Sequence, residues 1–308
     1  MLLKTQQAGA SCFCFRRNNV QLHHDLKTLN DMTTQTLPTN PLSEEQLDFF
    51  RLNGFLHVPQ LIPEDELAAA QKDTEELIRR GLDEQLDDPN YNYGADASDK
   101  GRKCLFRIDN LISHFGNESF KMLLAYPPLL RAIGQAVGED HFVPSLHSCV
   151  FKIPHRGYPV PWHQDNIDVY RFPVFNVDIY LDEATTENGC LYAIPGSHLA
   201  GYHGDPEWVQ SWTQGKEHDA PGAIPIVTRP GDVIFHATTV LHGSFWNRSN
   251  SLRRTIYFHI DHLQDVNLRP EEKRNMEGYL KGQELTADAI ELRRASHPEE
   301  EAFDYQLV

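Results

Sequence analysis

The chain has 308 residues, 40% of them hydrophobic, and its 44 acidic side chains outnumber 28 basic ones to give a formal charge of −16. That length suits one large domain with a substantial core, and no stretch approaches the roughly 20 apolar residues a membrane-spanning helix requires. The negative balance repels phosphate backbones and anionic lipid surfaces, so neither a nucleic-acid nor a membrane partner is expected.

Residues 1–42 form a separate compositional region. Lys4, Arg16 and Arg17 precede the first carboxylate, Asp25, and Cys12-Phe13-Cys14-Phe15 makes a short apolar cluster. The segment is expected to be a disordered extension, with a weak organelle-targeting leader over residues 1–24 as the alternative. The five cysteines, at positions 12, 14, 104, 149 and 190, are odd in number and lack framework spacing, which points to a reducing, intracellular setting such as the cytoplasm.

The folded region is expected to begin at Ser43, which with Gln46 makes a capping box ahead of Leu47, Phe49, Phe50 and Leu52, and Gly54 ends that helix. Phe55-Leu56-His57-Val58 reads as a strand, and Pro63 opens a second helix that runs close to Gly81 with Leu67, Ala70, Thr74, Leu77 and Ile78 on one face. Residues 82–103 are acidic and turn-rich and read as a loop, either a lid or surface padding. Glu118–Ala125 and Pro128–Val137 suggest two further helices. From Phe142 onward short strand patterns dominate. The fold class implied is mainly β with flanking helices, a double-stranded β-helix (cupin-like jelly roll) over residues 43–265, followed by a charged helical appendage over 266–308.

His163 and Asp165 are two apart in Pro161-Trp162-His163-Gln164-Asp165, so on a strand they share a face while Gln164 points away. His242 is read as lying at the end of the apolar run Asp232-Val233-Ile234-Phe235, which follows the turn pair Pro230-Gly231, and eleven residues later Arg253 opens a β-branched and aromatic run. Two imidazoles and one carboxylate on one face of an octahedral Fe(II) leave three positions for a bidentate 2-oxo acid and O2. A guanidinium suits the far carboxylate of a dicarboxylate cosubstrate. The charges close: +2 from the metal, −1 from Asp165, −2 from 2-oxoglutarate and +1 from Arg253 leave nothing unpaired in a buried site.

Spacing alone does not select this set, because the chain has 16 histidines and three other His-x-Asp pairs: His23/Asp25, His203/Asp205 and His259/Asp261. His203, Asp205, His218 and Arg229 nearly reproduce the whole pattern. They fall in residues 201–222, rich in Gly, Pro, Gln and charge and without alternation, which reads as a surface loop with Trp208 and Trp212 as its own apolar anchor. His262 stands too close to His259/Asp261 to clamp from a second strand, and His23/Asp25 lies in the polar leader. Of the remaining conspicuous residues, His198 is expected to serve packing and His236 to hydrogen-bond a ligand from behind. Asp178 faces either the pocket or solvent.

Trp162-His163-Gln164-Asp165, then Asn188-Gly189-Cys190-Leu191 through Pro195-Gly196-Ser197-His198, then Gly231-Asp232-Val233 and finally His242-Gly243-Ser244 with Arg253 stand in an order that resembles the phytanoyl-CoA dioxygenase family of Fe(II)- and 2-oxoglutarate-dependent oxygenases. The resemblance covers about residues 43–265. It implies His163, Asp165 and His242 as iron ligands, Arg253 and Ser244 as cosubstrate anchors, and Arg107 as a further cosubstrate contact. It also implies an enzyme with Fe(II), 2-oxoglutarate and O2 that oxidises, most simply hydroxylates, a C–H bond of a small organic or lipid-like substrate. The charge of −16 disfavours a coenzyme A thioester as that substrate. A metal-binding jelly roll without turnover and a zinc hydrolase remain alternatives, and Arg253 argues against the latter because zinc-bound water needs no dicarboxylate clamp.

Overall fold

The computed structural model describes residues 40–84, 86–95, 103–138, 142–155, 157–165, 174–264 and 276–308. The expected N-terminal extension lies outside the described residues through position 39.

Local signals set the first elements. Helix α1 (Glu44–Asn53) has the reciprocal Ser43/Gln46 capping box and ends on Gly54 at φ 78°, in the left-handed region a C-cap needs. Strand β1 (Phe55–Val58) and helix α2 (Glu64–Glu84) follow. Residues 82–103 are not a plain loop: β2 (Tyr91–Ala95) pairs antiparallel with β3 (Lys103–Asp109), and the acidic run before Tyr91 concealed a short aromatic strand at the sheet edge. Helices α3 (Glu118–Leu124) and α4 (Pro127–Val137) then lead into β4 (Phe142–Lys152).

The remaining strands are β5 (Val160–His163), β6 (Phe175–Tyr180), β7 (Leu191–Ala193), β8 (Ile224–Ile226), β9 (Val233–Ala237), β10 (His242–Ser244) and β11 (Arg253–His262). They form two antiparallel sheets, a seven-stranded one in the order β1-β9-β6-β11-β4-β3-β2 and a four-stranded one in the order β5-β10-β7-β8. This is the expected jelly roll. Alternation along the large sheet separates two environments. Val177, Ile179, Val233, Phe235, Ile256 and Phe258 join the helices in the main core, while the residues between them (Asn176, Asp178, Ile234, His236, Arg253, Thr255) occupy the opposite face, toward the small sheet. Arg254, on the helical side, forks onto Asp182 (2.8 Å for both nitrogens) and donates to Gln71 O in α2.

Residues 201–222 also differ from expectation. Asp205 caps a helix, α5 (Pro206–Thr213), by accepting from Glu207 N, and proline occupies its first turn. An Asp-Pro start is a helix signal present in the sequence, outweighed there by the glycine-rich flanks. Trp208 and Trp212 pack against the core between the sheets. The C-terminal helix α6 (Met276–Ser296) falls in the same compact unit as the sheets. Its buried Arg293 forks between Glu66 and Glu300, with contacts of 2.6–2.9 Å. Among the described residues no helix is long and apolar enough to cross a membrane.

Pro230-Gly231-Asp232 is a structural knot. Asp232 accepts from Gln60 N and Arg229 N and contacts His57 Nε2, while Gly231 sits at φ 89° where an added Cβ would lie 2.1 Å from Ile62 O. Gly231→Ala is therefore expected to destabilise the fold by about 2–3 kcal/mol, through left-handed strain and a clash with backbone that cannot move aside. An unchanged denaturation midpoint would contradict this.

Candidate active site

His163 is the last residue of β5, and Asp165 lies two residues beyond, past the end of the strand rather than on it. The Asp165 amide donates to Thr238 O (2.8 Å), which carries the chain beside the end of β9 and returns the carboxylate to the face of His163. Gln164 points away as expected. It donates to Gly201 O and Thr239 O and accepts from His203 N, so it pins the following loop. His242 is not at the end of the apolar run that precedes it. The chain turns after β9 and crosses to the small sheet, where His242 pairs directly with His163. Ser197 supports that crossing, since its Oγ accepts from Leu241 N and donates to Ile194 O.

The three side chains converge, with one ligand atom of each within 4.8 Å of the others. Asp165 Oδ1 is 3.5 Å from His163 Nε2 and 3.8 Å from His242 Nε2. Neighbouring ligands of an octahedral ion with bonds of about 2.1 Å stand roughly 3 Å apart, so the set closes on a metal with a shift of under about 1 Å. Tautomers are also set. His163 Nδ1 and His242 Nδ1 each donate to the carbonyl two residues earlier, Pro161 O and Val240 O (2.9 Å each), which turns both Nε2 lone pairs toward Asp165. Burial, and then His163, push the pKa of His242 down to about 3, so it presents a neutral imidazole. Burial opposes the charge on Asp165, but the surrounding histidines, His242 first, hold it well below the usual carboxylate range. The donor set fits a divalent cation.

Arg253 approaches from the other sheet. Its Nη1 donates to Thr255 Oγ1 (2.9 Å) and Nη2 to Ser244 Oγ (3.0 Å), while Ser244 Oγ donates to Gly189 O (2.8 Å). Its Nε is buried without a hydrogen-bond partner. A buried guanidinium with an open donor suits an anion. Arg253, Ser244, His163, Asp165 and His242 line one cavity of about 220 Å3. Arg107 also reaches this cavity, but its side chain is 44% exposed and both oxygens of Asp109 already hold its guanidinium. It belongs to the rim.

Behind Asp165 lies a polar layer that sequence reasoning caught only in part. His236 Nδ1 is 3.0 Å from Asp178 Oδ2 and its Nε2 3.6 Å from Asp165 Oδ2. Asp178 thus faces the pocket. Burial lowers the pKa of His236, but Asp178 and then Asp165 outweigh it and raise it to about 10. Asn176 Nδ2, 3.0 Å from the same Nε2, can donate only to the neutral ring. A cation at Asp165 withdraws one of the carboxylates that favour the proton and so favours that neutral form. Asn176 and His259 were missed as parts of the site. The signal for Asn176 was available: polar residues at alternate positions in an otherwise apolar strand, Phe175-Asn176-Val177-Asp178-Ile179.

The competing residues have other work. Asp205 is a helix cap, and the His203 ring stacks on Trp208 with centroids 4.3 Å apart. Arg229 N donates to Asp232. His198 contacts Arg51 O through Nε2 (3.0 Å), away from the cavity. On the other side of His163 a larger cleft of about 850 Å3 opens between α5 and the residues around β5, with Trp162, Phe245 and Trp246 in its wall.

Comparisons with known proteins agree with this geometry. The family profile described as "Phytanoyl-CoA dioxygenase (PhyH)" matches residues 50–255. The peroxisomal phytanoyl-CoA dioxygenase of Rattus norvegicus is 25% identical over 242 residues, covering 73% of this chain and 70% of that protein. Dioxygenase lolE1 of Epichloe uncinata is 28% identical over 241 residues, covering 76% and 89%. The crystal structure of AviO1 from Streptomyces viridochromogenes Tue57 superposes with a TM-score of 0.61 at 30% identity, over 72% of this chain and 95% of that one. EctD from S. alaskensis, crystallised with 2-oxoglutarate and 5-hydroxyectoine, shares the fold at a TM-score of 0.60 and 21% identity, over 76% and 80%. The profile spans both arms of the ligand cluster and reaches the strand of Arg253. This chain belongs to the phytanoyl-CoA dioxygenase family and is a dioxygenase that uses Fe(II), 2-oxoglutarate and O2.

Proposed function

We propose that the chain oxidises, in the simplest case hydroxylates, an unactivated C–H bond of a small organic or lipid-like substrate, with release of succinate and CO2. The carrying observation is that three convergent metal donors and a buried arginine with an open Nε share one cavity. In this reading His163, Asp165 and His242 hold the iron, and Arg253 with Ser244 binds the far carboxylate of 2-oxoglutarate. Bound there, iron supplies O2 activation coupled to decarboxylation of the 2-oxo acid. The protein orients and excludes water. Arg253, buried with an open Nε, would hold the far carboxylate of the cosubstrate away from solvent, where the charge pair is strong.

As a metal ligand, Asp165 would fill the position that a halide would otherwise take, which favours oxygenation over halogenation. Arg107, at the rim, is a contact for the substrate or for the cosubstrate's outer edge. The substrate approaches from the larger cleft that shares His163. Among the described residues Cys104, Cys149 and Cys190 are buried and form no disulfide, in keeping with a reducing, intracellular compartment. The test is anaerobic loading with Fe(II), then O2 with 2-oxoglutarate and a metabolite pool. Succinate should form in step with a product carrying one atom from 18O2. Succinate no higher than in the iron-free control would overturn the assignment, and a product without label would overturn hydroxylation.

A further inference from the structure

The polar layer behind Asp165 is one transverse row of the large sheet. His259 on β11 stands opposite Asn176 on β6, and Asn176 opposite His236 on β9. Asn176 and His259 are 0% exposed. A primary amide sealed in a sheet interior costs free energy unless each of its polar atoms is bonded. Here both are: Nδ2 donates to Asp165 Oδ2 (2.5 Å), and Oδ1 lies 2.7 Å from His259 Nδ1. Only one orientation of the amide works. Turned over, it would set its oxygen against the Asp165 carboxylate, so Oδ1 must face His259 and accept from an Nδ1–H. Asp261 Oδ1 lies 3.6 Å from the other His259 nitrogen.

We propose that Asn176, held by His259, is a positioning residue that fixes the coordination mode of Asp165. The inference rests on the reading of Asp165 as an iron ligand. The amide occupies Oδ2, leaving Oδ1, the oxygen nearest both histidine Nε2 atoms, to meet the ion. The number of open sites makes this consequential. Two histidine nitrogens and one carboxylate oxygen leave three of six positions, two for the 2-oxo acid and one for O2. A carboxylate that bound through both oxygens would fill the position O2 needs. Asn176 therefore protects the third open site although it touches neither cosubstrate.

The test uses the full chain loaded anaerobically with Fe(II), or with Co(II) as a spectroscopic probe of coordination. Asn176→Leu keeps the branched outline of the side chain and removes the donor. It should weaken metal binding by about 10- to 100-fold, the usual range for loss of a group that supports a ligand, and change the Co(II) visible spectrum. The KM for 2-oxoglutarate, set at Arg253, should move little while kcat falls. Wild-type metal affinity and spectrum in folded Asn176→Leu would overturn the proposal. If that variant fails to fold, the His259 pair decides. His259→Gln can still donate to Asn176 Oδ1 and should keep most of the affinity that His259→Leu loses; equal loss in both would overturn it. Asp165→Ala separates the two levels: wild-type metal affinity there would remove Asp165 from the ligand set and with it the parent reading, whatever Asn176 does.

Discussion

Replacing His242 by alanine is expected to lower succinate formation by about 1,000-fold or more, whereas His203→Ala should change it by less than about twofold. The first figure follows from the several kcal/mol a metal contributes to a transition state, at about 1.4 kcal/mol per tenfold in rate. His242 is buried, its Nδ1 is committed to Val240 O, and its Nε2 faces Asp165 and His163. Its loss removes one of three donors from a cage with no described substitute on that strand. His236 cannot move in, because its ring is held between Asp178 and Asn176. His203 contributes a stacked ring on Trp208 and a backbone N–H to Gln164, neither of which faces the cavity. Succinate assays with matched metal loading check both arms. Equal loss in the two variants would point to a fold effect, and unaffected His242→Ala would remove this cluster from the chemistry.

Arg253→Met should separate cosubstrate binding from stability. Removing one partner of a buried, hydrogen-bonded charge pair costs about 2–5 kcal/mol, so KM for 2-oxoglutarate should rise between roughly 30-fold and several-thousand-fold. Arg253→Lys should recover only part, because an ammonium cannot reproduce the fork. Without cosubstrate the sign reverses. Among the described residues no carboxylate pairs with this guanidinium, and its Nε is buried without a partner. Replacing it with an apolar chain of similar length should leave the melting temperature unchanged or raise it. What disappears is stabilisation by ligand, about 2.7 kcal/mol when 2-oxoglutarate is at a hundred times its Kd. An unchanged KM would place the far carboxylate elsewhere, with Arg107 the first alternative.

Much of this protein is written in short-range patterns. The Ser43/Gln46 box, Gly54 and the Pro63 start define two helices within a few residues each, because caps and turns act over one helical turn. The two-residue spacing of His163 and Asp165, the neutral charge count and Arg253 eleven residues after His242 singled out the cluster that the structure brings together. The same short range misled at residues 82–103 and 201–222, where charge and glycine outweighed the alternation of β2 and the Asp205-Pro206 start of α5.

Tertiary structure decided what sequence spacing cannot carry. His242 and Arg253 lie on opposite sheets and meet across the cavity only because the chain changes sheets after β9, a move set by the packing of the two layers. Asn176 reaches Asp165 eleven residues away, His236 sixty and His259 eighty-three only through the register of β9, β6 and β11. Register is fixed by burying one face of a whole sheet, because a slip of one residue would turn every side chain to the wrong side. A cross-strand neighbour is therefore invisible in any one segment.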